Sequence, residues 1–236
     1  MIDFTKISNS EIAILFHFGL GDHIIVNGIV NYLISKNNKI TLFIKSNVKN
    51  HLVYLYKDKN VNLVEITEES LKDTLTEYEK NNNNKVFKIG FDNVGSIPFN
   101  LAFYQLTNLP YSFSYKYFSA PLEPTLENKI YELLVREKNI NDFVLVHNES
   151  SQGMQNLKIN TSLPKIYITK SSDPFGNIFF YKKIIKNAKE IHCLDSSFLH
   201  VVERFQTDAK LFFHDIFIAS VKLTKNWKYI YYYDRN

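Results

Sequence analysis

The sequence predicts an α/β protein built from two halves, each with a mostly parallel sheet. Segments rich in Ile, Val, Leu and Phe, typical of strands buried on both faces, alternate with helix-like segments along most of the chain. Near the middle an aromatic stretch with several prolines interrupts this alternation, which then resumes. The pattern indicates two similar folding units in succession.

In the first half, the sequence predicts four strands separated by three helices. This order is expected for a parallel sheet covered by helices. In chain order we predict a strand over 12–16, a helix over 23–35, a strand over 40–45, a helix over 48–56, a strand over 61–66, a helix over 68–79 and a strand over 86–91. The four asparagines at 81–84 predict a polar turn, and a further turn is expected at 92–95.

The aromatic stretch over 100–124 is predicted to connect the two halves. The second half then predicts a helix over 125–137, strands over 143–147 and 165–169, a helix over 178–187, a strand over 190–194, a helix over 197–205 and strands over 210–214 and 228–233. A chain of 236 residues suits either one large domain or two compact ones, and the interruption near the middle favours two. We place them at 1–122 and 123–236.

Composition favours a folded protein of a reducing compartment. Hydrophobic residues make up 45% and charged residues 22%, as in ordinary globular proteins. The 28 Lys and Arg exceed the 24 Asp and Glu by only four, without a dense basic block, so a nucleic-acid partner is not predicted. Cys193, the single cysteine, rules out an intramolecular disulfide. We therefore expect a cytoplasmic location.

Membrane insertion and metal binding are not predicted. No uninterrupted apolar run reaches the roughly 18 to 20 residues that span a bilayer, so any membrane contact would be peripheral. The apolar segment 12–18 is expected to be a buried strand and not a signal peptide. The seven histidines form no His-x-x-x-His or His-Glu-x-x-His pair, and a single cysteine cannot build a thiolate site. We expect neither a metal nor another cofactor.

A glycine-rich turn follows the first predicted strand, at the edge where open α/β sheets bind ligands. It runs His17-Phe-Gly-Leu-Gly-Asp-His23, with Gly19 and Gly21 expected to let a ligand approach the backbone. Asp22 stands where a helix N-cap is expected, and a cap alone would explain it as well as catalysis would. Ile24 replaces the third glycine of the dinucleotide fingerprint, and no P-loop lysine is present, so NAD and P-loop ATP binding are not predicted.

A second turn, from Asp195 to His200, joins the strand over 190–194 to the next helix. Asp195, Ser196 and Ser197 begin that helix, and free backbone amides, a positive dipole end and hydroxyl groups together suit a diphosphate. His200 would lie one turn inside the helix and face the same ligand. An ordinary capped helix with a half-buried histidine explains this turn equally well in isolation.

The two turns together resemble those of the lipopolysaccharide heptosyltransferase family and its GT-B relatives. The resemblance implies a GT-B-like fold, with two Rossmann-like halves whose mostly parallel sheets face a central cleft. It also implies that Asp22 is the general base that deprotonates the acceptor hydroxyl, with His17 and His23 beside it. The turn from Asp195 to His200 would hold the diphosphate and ribose of the donor.

A third, weaker match is the loop after the strand over 143–147, which in the family meets the donor phosphates. It is formed here by His147, Asn148, Glu149, Ser150, Ser151 and Gln152. Many members carry a cation in this region, whereas this loop has none before Lys158.

The resemblance predicts a hexosyl- or heptosyltransferase type of enzyme in glycan biosynthesis. Its partners would be a nucleotide-sugar donor and a glycan or other hydroxyl acceptor, and the transfer would be inverting and metal-independent. Two alternatives stay open: a nucleotide-sugar epimerase of similar architecture, and a non-catalytic nucleotide- or sugar-binding protein. An epimerase would need acid and base groups on both sides of the sugar, for which the candidates are Asp22, His17, His23 and Glu149.

Overall fold

A computed structural model of the protein describes residues 2–82, 85–91 and 96–233. The chain divides into two compact units, and the boundary lies between Pro121 and Leu122. Each unit has its own parallel sheet. Within the described residues, no helix has both the length and the apolar character needed to cross a membrane.

The first unit contains a four-stranded parallel sheet. Its strands are β1 (Glu11–Leu15), β2 (Lys39–Ile44), β3 (Val61–Glu65) and β4 (Val86–Lys88), arranged in the order β3-β2-β1-β4. The central strand β1 is buried from Ile12 to Leu15, and β2 is buried from Ile40 to Ile44. Strands buried on both faces explain the continuous apolar runs of the sequence.

Helices cover this sheet. They are α1 (Leu20–Ile34), α2 (Lys49–Leu55), α3 (Leu71–Asn82), α4 (Phe99–Leu106) and α5 (Phe113–Lys116), with short 3-10 turns at Phe4–Lys6 and Ser46–Val48. Helix α1 is buried continuously from His23 to Val30. Gly28 permits close packing of α1 on α5, because a Cβ atom there would lie 2.3 Å from the carbonyl oxygen of Phe113.

The predicted role of the aromatic stretch 100–124 as a connection is wrong for most of its length. The stretch supplies much of α4 and all of α5, both of which pack against α1 inside the first unit. The Tyr104 hydroxyl donates to the carbonyl of Ile25 at 2.7 Å, and the Ser119 amide donates to Asn27 at 3.0 Å. Large aromatic side chains gain free energy by leaving water, so a segment this rich in them becomes core.

The second unit contains a five-stranded parallel sheet and a small hairpin. The sheet strands are β5 (Val144–His147), β8 (Lys165–Tyr167), β9 (Glu190–Leu194), β10 (Lys210–Asp215) and β11 (Trp227–Tyr231), in the order β11-β10-β9-β5-β8. The hairpin strands are β6 (Glu149–Ser150) and β7 (Gly153–Met154). The helices are α6 (Pro124–Tyr131), which continues as a π-helical turn at Glu132–Arg136, then α7 (Lys182–Asn187), preceded by a 3-10 turn at Ile178–Tyr181, and α8 (Ser197–Arg204).

The predicted strands and helices are all present, with ends that differ by a few residues. Helix α3 begins at Leu71 and not at Glu68, because Thr67 and Ser70 exchange side-chain hydrogen bonds with each other's amides at 2.9 and 3.1 Å. The predicted turn at 81–84 is corrected at its start, since α3 extends through Asn82. Residues 83, 84 and 92–95 lie outside the described part of the chain.

Candidate active site

Both singled-out turns lie where the strand order of a sheet reverses. In the first unit the chain passes from β1 to β2 and β3 on one side, and then returns to β4 on the other side of β1. In the second unit β8 lies on one side of β5, and β9, β10 and β11 lie on the other. Ligands of open α/β sheets bind outside the carboxyl ends of the strands at such a switch point. Each unit therefore presents one candidate site.

The turn after β1 is held to the end of β4 by His17. Its Nε2–H donates to the carbonyl of Gly90 at 2.5 Å. Its ring packs edge-on against the rings of Phe91 and Phe103, with ring centroids 5.1 and 5.3 Å apart. His17 is half-buried in this arrangement. The imidazole thus joins the two strand ends that flank the switch point.

Gly90 is a residue that sequence reasoning missed. Its φ of 97° lies in the left-handed region, and a Cβ atom there would lie 2.4 Å from the Phe103 ring and 3.1 Å from His17 Nε2. A glycine near the end of a predicted strand is the signal that could have identified it. The prediction placed this residue inside a strand over 86–91, whereas β4 ends at Lys88.

Asp22 does not occupy the predicted N-cap position of α1. Gly19 is the N-cap, and Asp22 is the third residue of the helix, where its Oδ2 accepts a hydrogen bond from the Gly19 amide at 3.2 Å. Neither Gly19 nor Gly21 has a positive φ. Gly19 is favoured for a different reason: a Cβ atom there would lie 2.7 Å from Asp22 Oδ2. The glycine makes room for the carboxylate.

The three predicted catalytic residues, Asp22, His17 and His23, differ in their burial and electrostatic environment. Burial raises the pKa of Asp22, while the nearby His17 and the Gly19 amide act in the opposite direction. His23 lies in the interior, fully buried, and neither ring nitrogen has a hydrogen-bond partner among the described residues. Burial lowers the pKa of His23 to about 4. Asp22 and His17 lie at the turn, and His23 belongs to the buried face of α1.

In the second unit the fold brings His147 and Ser196 together across 49 positions of sequence. His147 ends β5, and Ser196 follows β9, the strand beside it. The Ser196 hydroxyl is hydrogen-bonded to His147 Nδ1 at 3.2 Å, and the His147 ring stacks on Phe198 with centroids 4.8 Å apart. Burial lowers the pKa of His147 to about 4. The two predicted turns of this unit form one cluster.

Ser196 is the N-cap residue of α8, yet its side chain makes no capping bond to the helix. The hydroxyl is hydrogen-bonded to His147 instead, so the Ser196 side chain does not occupy any of the first amides of α8. Asp195 and Ser197 are half-buried beside it. A helix N-terminus flanked by hydroxyl groups has the chemistry of an anion site.

His200 lies on the inner face of α8. It is buried, and burial together with the charge of Arg204 lowers its pKa to about 3. The structure therefore places it in the core of the second unit, with the half-buried Asp195, Ser196 and Ser197 one turn earlier.

The predicted loop after β5 is a hairpin. Asn148 closes the base of the hairpin with two hydrogen bonds to Gln155. Its side-chain Nδ2 donates to the backbone carbonyl of Gln155 at 2.8 Å, and its backbone carbonyl accepts from the Gln155 amide at 2.8 Å. The Oδ1 atom of Asn148 is buried without a partner among the described residues. Ser150 accepts from the amide of Gln152 at 3.1 Å, and Ser151 and Gln152 are exposed at the tip. Gly153, with φ of 89°, makes this tight turn possible.

Comparison with known proteins identifies the fold. No family model matches the chain, and no curated protein matches it in sequence. Among solved structures it is similar to the glycosyl transferase family 9 protein from Veillonella parvula DSM 2008, with a TM-score of 0.63 and 10% identity over 98% of this chain and 89% of that chain. It is also similar to E. coli ADP-heptose LPS heptosyltransferase II, with a TM-score of 0.54 and 8% identity over 93% of this chain and 90% of that chain.

The structural similarity confirms the predicted α/β fold class and the GT-B-like fold that the resemblance implied. The protein is a mixed α/β chain with two parallel sheets and the fold of GT-B glycosyltransferases of the heptosyltransferase type.

Proposed function

We propose that the protein is a glycosyltransferase that moves a sugar from a nucleotide-sugar donor to a hydroxyl acceptor. The observation that carries the proposal is the position of both turns. One turn carries a partly buried carboxylate, the other carries hydroxyls and helix amides, and each lies at the switch point of its own sheet. A base and an anion site are the two elements that direct displacement at a sugar carbon requires.

In this reaction Asp22 takes the proton of the acceptor hydroxyl. The acceptor oxygen bonds to the anomeric carbon of the sugar as the bond from that carbon to the diphosphate oxygen breaks. The electron pair of the broken bond leaves with the nucleoside diphosphate, and the configuration at the anomeric carbon is inverted. His17 positions the turn that holds Asp22, through its bond to Gly90.

The leaving diphosphate is held by the first amides of α8 and by the hydroxyls of Ser196 and Ser197, with no metal ion in the site. Preorganised amides and a helix dipole stabilise developing negative charge, as a cation would. His147 fixes the Ser196 hydroxyl at 3.2 Å, which makes His147 a positioning residue in this account.

Nucleoside diphosphates should stabilise the protein against heat in the absence of divalent ions. The physical reason is that a ligand bound only by the folded state raises its stability, here through helix amides that need no metal. Melting curves with ADP, GDP, CDP and UDP, each recorded in EDTA and in magnesium, measure this. A shift that occurs only with magnesium would contradict the proposed site.

Replacing Ser196 and Ser197 together by Ala should weaken nucleoside diphosphate binding by about thirtyfold or more. Each lost charge-assisted hydrogen bond contributes about 1 kcal/mol or more. Titration calorimetry on the double variant provides the measurement, with Ser162→Ala as the control because its exposed hydroxyl lies before β8, at the opposite edge of the sheet. Unchanged affinity in the double variant would place the diphosphate elsewhere.

A further inference from the structure

The chain that follows the β6–β7 hairpin forms an extended segment over residues 156–163, which we call the strap. Strands β8, β9, β10 and β11 follow one another in one direction across the sheet, whereas the step from β5 to β8 runs in the other direction. Since such crossovers are right-handed, the strap lies on the opposite face of the sheet from α7 and α8. Half-buried and exposed residues alternate along it, as in an extended segment with one side packed inwards.

The sheet face on the side of the strap carries two buried histidines. Trp227 on β11 faces α8, because its indole Nε1 donates to Glu203 at 2.6 Å. Its partner on β10 is Leu211, three positions before His214. Side chains alternate between the faces along a strand, so His214 points away from α8. His192 on β9, which is hydrogen-bonded to His214, lies on the same face.

A chain of hydrogen bonds joins the strap to both histidines. The Lys158 amide donates to the Tyr232 hydroxyl at 2.6 Å, the hydroxyl is hydrogen-bonded to His214 Nδ1 at 2.8 Å, and His214 Nε2 is hydrogen-bonded to His192 Nδ1 at 2.8 Å. The carboxylate of Glu190, 3.7 Å from His192 Nε2, favours a proton on that nitrogen. His192 Nδ1 then accepts from His214 Nε2–H, and His214 Nδ1 accepts from the Tyr232 hydroxyl.

Tyr232 holds the middle of the strap. The hairpin base fixes one end of the strap, and the bond from the Val144 amide to the Pro164 carbonyl at 2.9 Å fixes the other. Among the hydrogen bonds of the described residues, the bond from Lys158 to Tyr232 is the one that joins residues 156–163 to the rest of the unit. The Lys158 ammonium also lies 4.6 Å from the centre of the Tyr232 ring.

An added proton on either imidazole disrupts this chain. Both Nδ1 atoms already accept a hydrogen bond, so protonated His192 would turn two N–H groups towards each other, and protonated His214 would displace the Tyr232 hydroxyl proton. Burial lowers the pKa of both rings to about 4, and the charge of Lys165 also lowers that of His192.

The charged groups around the two rings are mostly cations. Glu190 also pairs with Lys210 at 4.0 Å, and Asp215 follows His214 on the opposite face of β10, where it accepts from the Ala219 amide. The charged groups on the side of the strap, within the described residues, are Lys158, Lys165, Glu190, Lys210 and Lys228. A positive charge on either ring is therefore poorly compensated there.

We propose that the strap is an acid-released latch, closed while His192 and His214 are neutral and opened when either ring takes a proton. Opening exposes to water the sheet face that carries both rings, and it frees the chain that leaves the hairpin. Once hydrated, each ring recovers the proton affinity of an ordinary histidine. Each ring therefore favours the open strap by up to about tenfold per pH unit below pH 6.5. The inference concerns the second unit alone and does not depend on sugar transfer.

Solvent exchange of the Lys158 amide proton, measured by NMR on the full chain and corrected for the intrinsic pH dependence of exchange, reports the state of the strap. We expect its protection to fall by about tenfold or more from pH 7 to pH 5, while amides within α8 stay protected. Tyr232→Phe should remove the protection already at pH 7. Tyr229→Phe, on the β11 face towards α8, should leave it unchanged. His214→Asn keeps an acceptor for Tyr232 without a titrating ring, so protection should persist at pH 5.

Three results would overturn the inference. One is equal protection of the Lys158 amide in Tyr232→Phe and the unchanged protein. Another is an undiminished loss of protection at pH 5 in His214→Asn. The third is an equal loss in α8 of the unchanged protein, which would indicate unfolding of the whole unit. Imidazole nitrogen shifts of the unchanged protein test the chain without any substitution: at pH 7 both rings should carry their proton on Nε2, and a proton on either Nδ1 would contradict it.

Discussion

Replacing Asp22 by Asn should lower the transfer rate by about a hundredfold to ten-thousandfold, the usual contribution of a positioned general base. The amide oxygen of Asn can still accept the hydrogen bond from the Gly19 amide that Asp22 Oδ2 accepts now. Loss of a negative charge near the helix N-terminus costs about 0.3 to 1 kcal/mol, and relief of a partly buried charge offsets part of that. The variant should therefore fold and bind nucleotide normally.

Asp22→Ala is the matched control for the structural role of this side chain. It removes the bond to the Gly19 amide and should cost about 0.5 to 2 kcal/mol of stability. If Asp22 only stabilises the start of α1, the Asn variant should have a nearly normal transfer rate and melting temperature. The Ala variant should be less stable. Melting temperature, nucleotide affinity and transfer rate on both variants separate these cases. An Asn variant with undiminished turnover would remove Asp22 from the mechanism.

The pH dependence of the transfer rate should also report the ionisation of Asp22. Asp22 must be ionised to accept a proton, and burial raises its pKa. Transfer by the unchanged protein should therefore fall with acidification at a higher pH than an exposed aspartate would give. The residual transfer rate of the Asp22→Asn variant should not show this fall on acidification.

Acidification from pH 6.5 towards pH 4 should strongly destabilise the protein. Burial lowers the pKa of His23 and His147 to about 4 and that of His200 to about 3, from 6.5. The unfolded chain therefore binds protons in this window that the folded chain does not, so stability is full above pH 6.5 and is lost as the pH falls. Each group contributes up to about 1.4 kcal/mol per pH unit, against the roughly 5 to 15 kcal/mol of typical domain stability.

A second buried pair adds to this effect in the second unit. His192 Nδ1 and His214 Nε2 are hydrogen-bonded to each other at 2.8 Å on neighbouring strands, and burial lowers the pKa of both. Two protonated rings cannot share that bond, because neither nitrogen could then accept. Acid should therefore weaken both units.

Urea unfolding at pH 7, 6, 5 and 4 measures the effect, and His23→Leu supplies a control. Since the ring nitrogens of His23 have no partner among the described residues, Leu removes a titrating group without breaking a described hydrogen bond. The acid midpoint of the first unit should move to lower pH in this variant. A free energy of unfolding that stays constant from pH 7 to 4 would contradict the prediction. Normal transfer by His23→Leu at neutral pH would also remove His23 from the candidate catalytic residues.

The sequence predicted local features well because their signals are local. The strands could be recognised from continuous apolar runs, and the turns around Asp22 and Ser196 from glycines and hydroxyl residues between a strand and a helix. The roles of these residues remain predictions. Asp22 was expected at the N-cap, and its actual position three residues into α1 follows from the backbone path at Gly19.

Features that depend on distant contacts could not be predicted. The packing of α4 and α5 on α1 depends on Gly28, whose lack of a side chain shows its effect only once Phe113 lies against it. The bond from His17 to Gly90 and the bond from His147 to Ser196 join residues 73 and 49 positions apart. Both follow from the order of strands in the sheets. Strand order is set by the whole unit and is not encoded in any single segment.

Turnover of a nucleotide-sugar by the protein can be measured directly. The protein is incubated with a panel of nucleotide-sugars and a mixture of glycan acceptors, and every product is identified by mass spectrometry and chromatography. We expect one donor to release its nucleoside diphosphate in step with the appearance of a glycan one sugar larger. Donors recovered unchanged, or converted only into an isomeric nucleotide-sugar, would contradict the proposal that this protein is a glycosyltransferase.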